Sequence, residues 1–146
     1  TAASLTEEYT EMPGSFVKLQ FEEGEIDFVV APNLTDAAWE RWEIQGRPVR
    51  VETAGEVIAK KMYHRGDRAT ARDLFDLAMV VEREPDALAA AAPFLVRHRD
   101  RFLEQIRQSG AGFVATFEAI AAIGYRPSLQ HCISVATAYL SALGDR

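Results

Sequence analysis

From Lys60 to Asp76 the chain packs Lys60, Lys61, Arg65, Asp67, Arg68, Arg72, Asp73 and Asp76 into one short stretch. Ammonium and guanidinium groups set beside carboxylates can grip phosphate oxygens while the acids hold the cations in place. Five bases stand against a single acid, Asp67, between Lys60 and Arg72, and a nucleotide or an RNA backbone is the natural counterpart of such a surface. A solvated helix-turn-helix face would read the same way, and the spacing alone leaves both open. Arg97, His98, Arg99 and Arg101 form a second basic group, broken by Asp100, that reads as a solvated face.

Two helices must carry the first group. At 100° per residue Val57, Ile58 and Met62 set an apolar stripe, with Lys61 inside it and Lys60 to its side. Lys61 is therefore the more enclosed lysine, and its bland reading is an ammonium that snorkels out along its own methylene stem. Thr53 and Glu56 make a capping box before the stripe, and Gly66 and Asp67 end the helix. The next helix buries Leu74, Leu77, Ala78 and Val81, leaving Asp73 and Asp76 together on another face with Val80. Arg72 and Asp76, four apart, would as a plain surface pair contribute only ~0.3–0.5 kcal/mol. His64, at the first helix's end, suits the helix dipole when protonated and needs no ligand role.

Upstream the period changes from 3.6 to two. Phe16 to Phe21 and Ile26 to Val30 alternate around Glu22-Glu23-Gly24, predicting a β-hairpin with Ile26, Phe28 and Val30 on one face and Asp27 on the other. Asp27 could as well face water, as most acids do. Thr1 to Pro13 reads as a loosely held lead-in. Thr35 is expected to cap a helical turn reaching Trp39, and Trp42-Glu43-Ile44 and Val49-Arg50-Val51 read as two short strands around Gly46-Arg47-Pro48. After Thr53 the pattern is helical, over 54–64, 70–83, 85–91, 93–108, 112–123 and 128–143, with Pro85, Pro93 and Pro127 near helix starts. Phe113, Phe117 and Ile120, then Leu129, Ile133, Ala136, Leu140 and Leu143, are core stripes. Strands precede all helices, so the class is α+β: an N-terminal antiparallel β-hairpin followed by a helical bundle.

These motifs resemble the latter part of the AbiEii-like nucleotidyltransferases, the enzymatic partners of abortive-infection toxin–antitoxin pairs. The family's Glu-x-x-Ala-x-Lys helix is matched by Glu56, Ala59 and Lys61, its basic connection by Arg65 and Arg68, and its Arg-Asp-x-x-Asp-Leu by Arg72, Asp73, Asp76 and Leu77. Gly24 to Val30 resembles the family's later core strand, so the hairpin would be a remnant of a nucleotidyltransferase sheet. The resemblance covers about residues 16–81. It implies Asp27 as the third carboxylate and a ligand of Mg²⁺, Lys61 on triphosphate oxygens, and Asp73 orienting Lys61 or the substrate, making Lys61, Asp73 and Asp27 the catalytic set. Arg65, Arg68, Arg72 and Asp76 would support substrate binding. It further implies a nucleoside triphosphate substrate, tRNA as an acceptor and a cognate antitoxin. The family also brings a Gly-Gly or Gly-Ser turn followed by an Asp-x-Asp strand, and neither stands upstream of Asp27. Gly14-Ser15 mimics the turn, but Val17 to Phe21 reads as a strand where the motif needs a helix. These residues alone are therefore expected to be inactive or barely active. The competing reading is a non-catalytic helical module that binds protein or RNA.

The 146 residues suit one domain, with a β-rich part over 1–52 and a helical part over 53–146. Charge divides unevenly: residues 1–56 hold 12 acids and 4 bases, giving −8, and residues 57–146 hold 10 acids and 12 bases, giving +2. The lone Cys132 has no disulfide partner in the chain and reads as a small buried hydrophobe, which fits a reducing cytoplasm. No apolar run approaches the ~20 residues of a membrane span, and no signal peptide opens the chain. No zinc spacing, Gly-rich phosphate loop, nucleophile elbow or Cys–His pair is present.

Overall fold

The computed structural model describes residues 4–144. Contacts divide the chain after Asn33 into two compact units. The first is a three-stranded antiparallel sheet of β1 (Tyr9–Met12), β2 (Phe16–Phe21) and β3 (Gly24–Val29), in that order. Period-two alternation sets the β2–β3 register, which places Lys18 opposite Asp27 and Leu19 opposite Ile26. Leu19 is buried, while Ile26, Phe28 and Val29 remain exposed. Residues 1–3 of the expected lead-in lie outside the described residues, and the rest of it is not loose. Tyr9–Met12 pairs with β2 through Tyr9–Leu19 and Met12–Phe16, an edge strand that its run of acids and short length concealed.

The second unit opens with a hairpin of β4 (Trp39–Ile44) and β5 (Arg47–Glu52), turning at Gln45 and Gly46, both with positive φ. Such a two-residue turn matches the strands' right-handed twist, which is why glycine sits there. Of the helical turn expected from Thr35 to Trp39 only a short turn at Asp36–Ala37 forms. The Thr35 N–H and hydroxyl both donate to Glu56, and a short bend leads directly into β4.

Among the described residues six α-helices follow: α1 (Ala54–Arg65), α2 (Ala71–Arg83), α3 (Leu88–Leu95), α4 (Arg99–Arg107), α5 (Ala111–Glu118) and α6 (Leu129–Ala142). Strands before helices make the class α+β, as the patterning implied. Helix ends moved where local chemistry intervened. Pro85 opens a 3₁₀ turn over Pro85–Ala87, α3 continues through Pro93, and a second 3₁₀ turn over Val96–His98 separates α3 from α4. Pro93 has no N–H for the carbonyl of Ala89, but Ala89 is exposed, so water can satisfy that carbonyl and the helix runs on to Leu95. α5 ends at Glu118, and the stretch 119–128 is irregular, with Gly124 at φ 72°. One apolar core joins Ile58, Met62, Leu74, Leu77, Leu88, Leu95, Phe102, Ile106, Cys132 and Leu140. Among the described residues no helix is long and apolar enough to cross a membrane.

The start of α1 is locked against the chain leading into α3. A Cβ built on Gly55 would stand 2.2 Å from the carbonyl oxygen of Ala87, closer than any side chain tolerates. Alanine would otherwise improve a helix interior by ~1 kcal/mol. The backbone clash outweighs that gain, so Gly55→Ala is expected to lower stability by about 1–3 kcal/mol, measured as the shift in urea midpoint; an unchanged or raised midpoint would show that this contact yields freely.

Candidate functional site

Four charged groups of the Lys60–Asp76 stretch, Lys61, Arg65, Asp73 and Asp76, meet where α1 crosses α2. Lys61 points from α1 to α2, where its Nζ bonds Asp76 Oδ2 and lies 3.4 Å from Asp73 Oδ1. Arg65, one turn on, donates from Nη2 to the same Asp73 oxygen at 2.6 Å. Arg72 Nε stands 3.5 Å from Asp76 Oδ1. Two carboxylates from α2 thus hold two cations of α1, flanked by a third on α2 itself. The Lys61 side chain is 19% exposed and its ammonium is set between the two carboxylates; against the reading of the stripe, Lys60 is the more enclosed of the two lysines at 14%, because Glu52 and Glu56 draw it inward.

Asp73 is the pivot. Its Oδ2 accepts from the Thr70 N–H at 3.0 Å and the Thr70 hydroxyl at 2.8 Å, while Thr70 Oγ1 accepts from the Asp73 N–H at 3.2 Å. This reciprocal capping box starts α2 and fixes the carboxylate so that Oδ1 faces α1. Burial pushes the Asp73 carboxyl up, but Thr70's two donors and the charges of Arg65 and Lys61 outweigh it and hold the group below the usual carboxylate range. Thr70 was legible as Thr-x-x-Asp ahead of an apolar helix but is absent from the sequence-derived site.

Glu56 departs from its expected part. Thr53 Oγ1 does accept from the Glu56 N–H at 3.2 Å, but the Glu56 carboxylate does not return to Thr53, whose own N–H donates to Ala38. The fully buried Glu56 instead accepts from the N–H groups of Leu34 (2.9 Å) and Thr35 (2.8 Å) and from the Thr35 hydroxyl (2.8 Å), with Lys60 3.3 Å away. Burial raises its pKa, and these bonds more than offset that, leaving it lowered. Nothing local in the sequence marks a partner some twenty positions upstream.

The other expected residues have partners of their own. Arg68, 74% exposed, bonds the His64 carbonyl and sits 3.6 Å from Asp67, at the rim of the α1–α2 connection. Asp27 belongs to the first unit, on β3, with Lys18 3.6 Å away on β2 and a second Lys18 bond going to Glu25. Among the described residues no three His, Cys, Asp or Glu side chains gather as a metal ion would require. His98 and His131 take no part in such a group; His131 pairs with Glu82.

Compared with known families, residues 4–142 match the family described as nucleotidyl transferase AbiEii toxin, type IV TA system. No curated protein and no solved structure matches the chain.

The lowered pKa values of Asp73 and Glu56 imply a pH dependence of stability. A carboxyl whose folded pKa lies below its unfolded value adds stability that is present above the unfolded value, ~4, and is lost as pH falls through the folded one. The urea midpoint should therefore be flat near neutrality and fall below about pH 4. Asp73→Asn and Glu56→Gln should each be destabilised at neutral pH, by about 2 kcal/mol for Asp73→Asn, and should each flatten part of the acid loss. A variant that keeps the full wild-type acid slope would remove its carboxylate from this account.

Proposed function

The chain belongs to the AbiEii family of nucleotidyl transferase toxins of type IV toxin–antitoxin systems, and from that premise we propose that the α1–α2 crossing binds the triphosphate of a nucleoside triphosphate. The nucleotidyl group would pass to an acceptor such as tRNA. The observation that carries this reading is the Lys61 ammonium, mostly enclosed and held by Asp73 and Asp76 with Arg65 and Arg72 beside it. Nucleotidyl transfer asks a protein chiefly to position phosphates and neutralise their charge. Lys61 presents its ammonium to a phosphate oxygen; Arg65, Arg68 and Arg72 supply further cations around it. Asp73, saturated by Thr70, Arg65 and Lys61, acts as the clamp that aims Lys61 rather than as a proton acceptor. Asp76 holds the same ammonium from the next turn and balances Arg72.

Asp27 is the third carboxylate of the proposal and the one candidate ligand for Mg²⁺, by its place in the motif order. The carboxylates gathered here do not complete a metal site: no ligand trio exists among the described residues, and Asp27 already faces Lys18. No step is therefore routed through the metal. The 146 residues contain no Asp-x-Asp pair, so we infer that on their own they transfer little or nothing. A cognate antitoxin is the regulatory partner, and the cytoplasm, where triphosphates and tRNA meet, is the site of action. The saturation of Asp73 also favours a second reading in which the crossing serves only as a polar interface of a non-catalytic binding module.

Two measurements separate these. Calorimetric titration with each of the four triphosphates should show binding that weakens with salt and drops at least several-fold in Lys61→Ala; binding equal in wild type and variant would leave the crossing as structure alone. Incubation with labelled triphosphate, Mg²⁺ and bulk tRNA should give no transfer. Robust labelling that vanishes in Lys61→Ala would show that these residues complete a metal site after all.

A further inference from the structure

The β4–β5 hairpin carries a charge arrangement that the fold itself does not need. Arg41 and Arg50 are direct cross-strand partners, so their side chains leave the same face of the ribbon side by side. Like charges directly opposite one another destabilise a strand pair. Neither guanidinium makes an ion pair among the described residues: Arg41 has no polar partner, and Arg50 lies over the Trp39 ring, 4.2 Å from its centre. Trp39 sits diagonally across on that face and is 43% exposed. The acids of this face are Glu43 and Glu52, and Glu52 is engaged by Lys60 of α1 at 2.5 Å. The face thus offers two guanidiniums without an ion-pair partner, an indole that carries Arg50 on one plane and is still 43% exposed, and a lysine at its base.

The ribbon is also held rather than loose. A two-stranded hairpin is marginal by itself. This one is fastened where it meets α1, by the Thr53 N–H on the Ala38 carbonyl (3.1 Å), the Thr53 hydroxyl on the Ala37 carbonyl (2.7 Å), and the Glu52–Lys60 pair. Side chains on a fastened ribbon keep their spacing, so Arg41, Arg50 and Trp39 form a preset surface.

We propose that this face binds single-stranded nucleic acid, with Arg41 and Arg50 sharing a backbone phosphate and a base stacking on Trp39. A phosphate between the guanidiniums relieves their repulsion, and a base on the indole plane uses the aromatic surface that the fold leaves open. Backbone neutralisation by arginine together with stacking on aromatic rings is the sequence-tolerant way in which proteins hold single strands. This surface is independent of triphosphate binding at the α1–α2 crossing and stands whether or not that crossing transfers nucleotides.

The test is anisotropy of a labelled short single-stranded RNA, read at rising salt and backed by quenching of tryptophan emission. Wild type should bind at low salt, Arg41→Ala and Arg50→Ala should each weaken binding several-fold, and the double variant should reduce the salt slope by about 0.7. Trp39→Ala should weaken it roughly tenfold, while Trp39→Phe restores most of the loss because a stacking plane remains. Arg47→Ala, on the opposite face of the ribbon, should bind like wild type. Arg41→Ala should also melt no lower than wild type, since its removal relieves a repulsion. Equal binding by an Arg41→Ala, Arg50→Ala double variant, or no binding by wild type at low salt, would overturn the proposal and leave the face to a protein partner.

Discussion

The carboxylate of Asp73 is the interaction on which the rest of the site depends. It is almost fully buried, and a buried charge persists only when its lone pairs are filled and its charge is opposed. Thr70 fills one oxygen, and Arg65 and Lys61 share the other. One group therefore starts α2, joins α2 to α1, and sets the direction of the lysine. Asp76, a turn later and less buried, completes the grip on the same ammonium. The electrostatic logic is asymmetric: removing any cation leaves acids in need of a partner, whereas an arriving anion finds cations already held in place.

Glu56 does for the start of α1 what Asp73 does for α2, at longer range. Its carboxylate gathers two backbone N–H groups and a hydroxyl from the segment at Leu34 and Thr35, which would otherwise be a polar loop over an apolar core. Lys60, beside it, reaches both Glu56 and Glu52, so the β5 strand and the first turns of α1 share one ionic cluster. α1 is consequently held on three sides. Gly55 meets the chain before α3, Glu56 and Lys60 meet the segments before and within the hairpin, and Lys61 and Arg65 meet α2. The direction in which α1 presents Lys61 is thereby set by contacts with three other parts of the same unit.

Charge is divided along the same line as the fold. Residues 1–33 hold seven acids and one base, so the whole net charge of −6 belongs to the first unit, and residues from Leu34 on balance 15 acids with 15 bases. Within that balanced part the bases around the α1–α2 connection are each set against a carboxylate, whereas Arg41 and Arg50 of one hairpin face make no ion pair among the described residues. A polyanion would be repelled by the first unit and drawn to these surfaces, an effect that acts on association more than on folding.

The sequence by itself determined the class, the β2–β3 hairpin and the places of the main helices. These follow from periods of two and 3.6 and from caps, which are local and repeat along the chain. Tertiary structure alone decided the rest. It turned Glu56 from a local cap into a long-range clamp, shortened the expected turn at Thr35, carried α3 past Pro93, and made Tyr9–Met12 a strand by offering β2 as a partner. It also ranked the acids, because burial and the number of donors around each oxygen depend on which helices cross. Arg41 and Arg50 look unremarkable nine positions apart in the chain; only the register of a paired strand puts two like charges side by side. Spacing within an element can be read from sequence, whereas contacts between elements are settled by how the apolar faces pack, and no single segment encodes that.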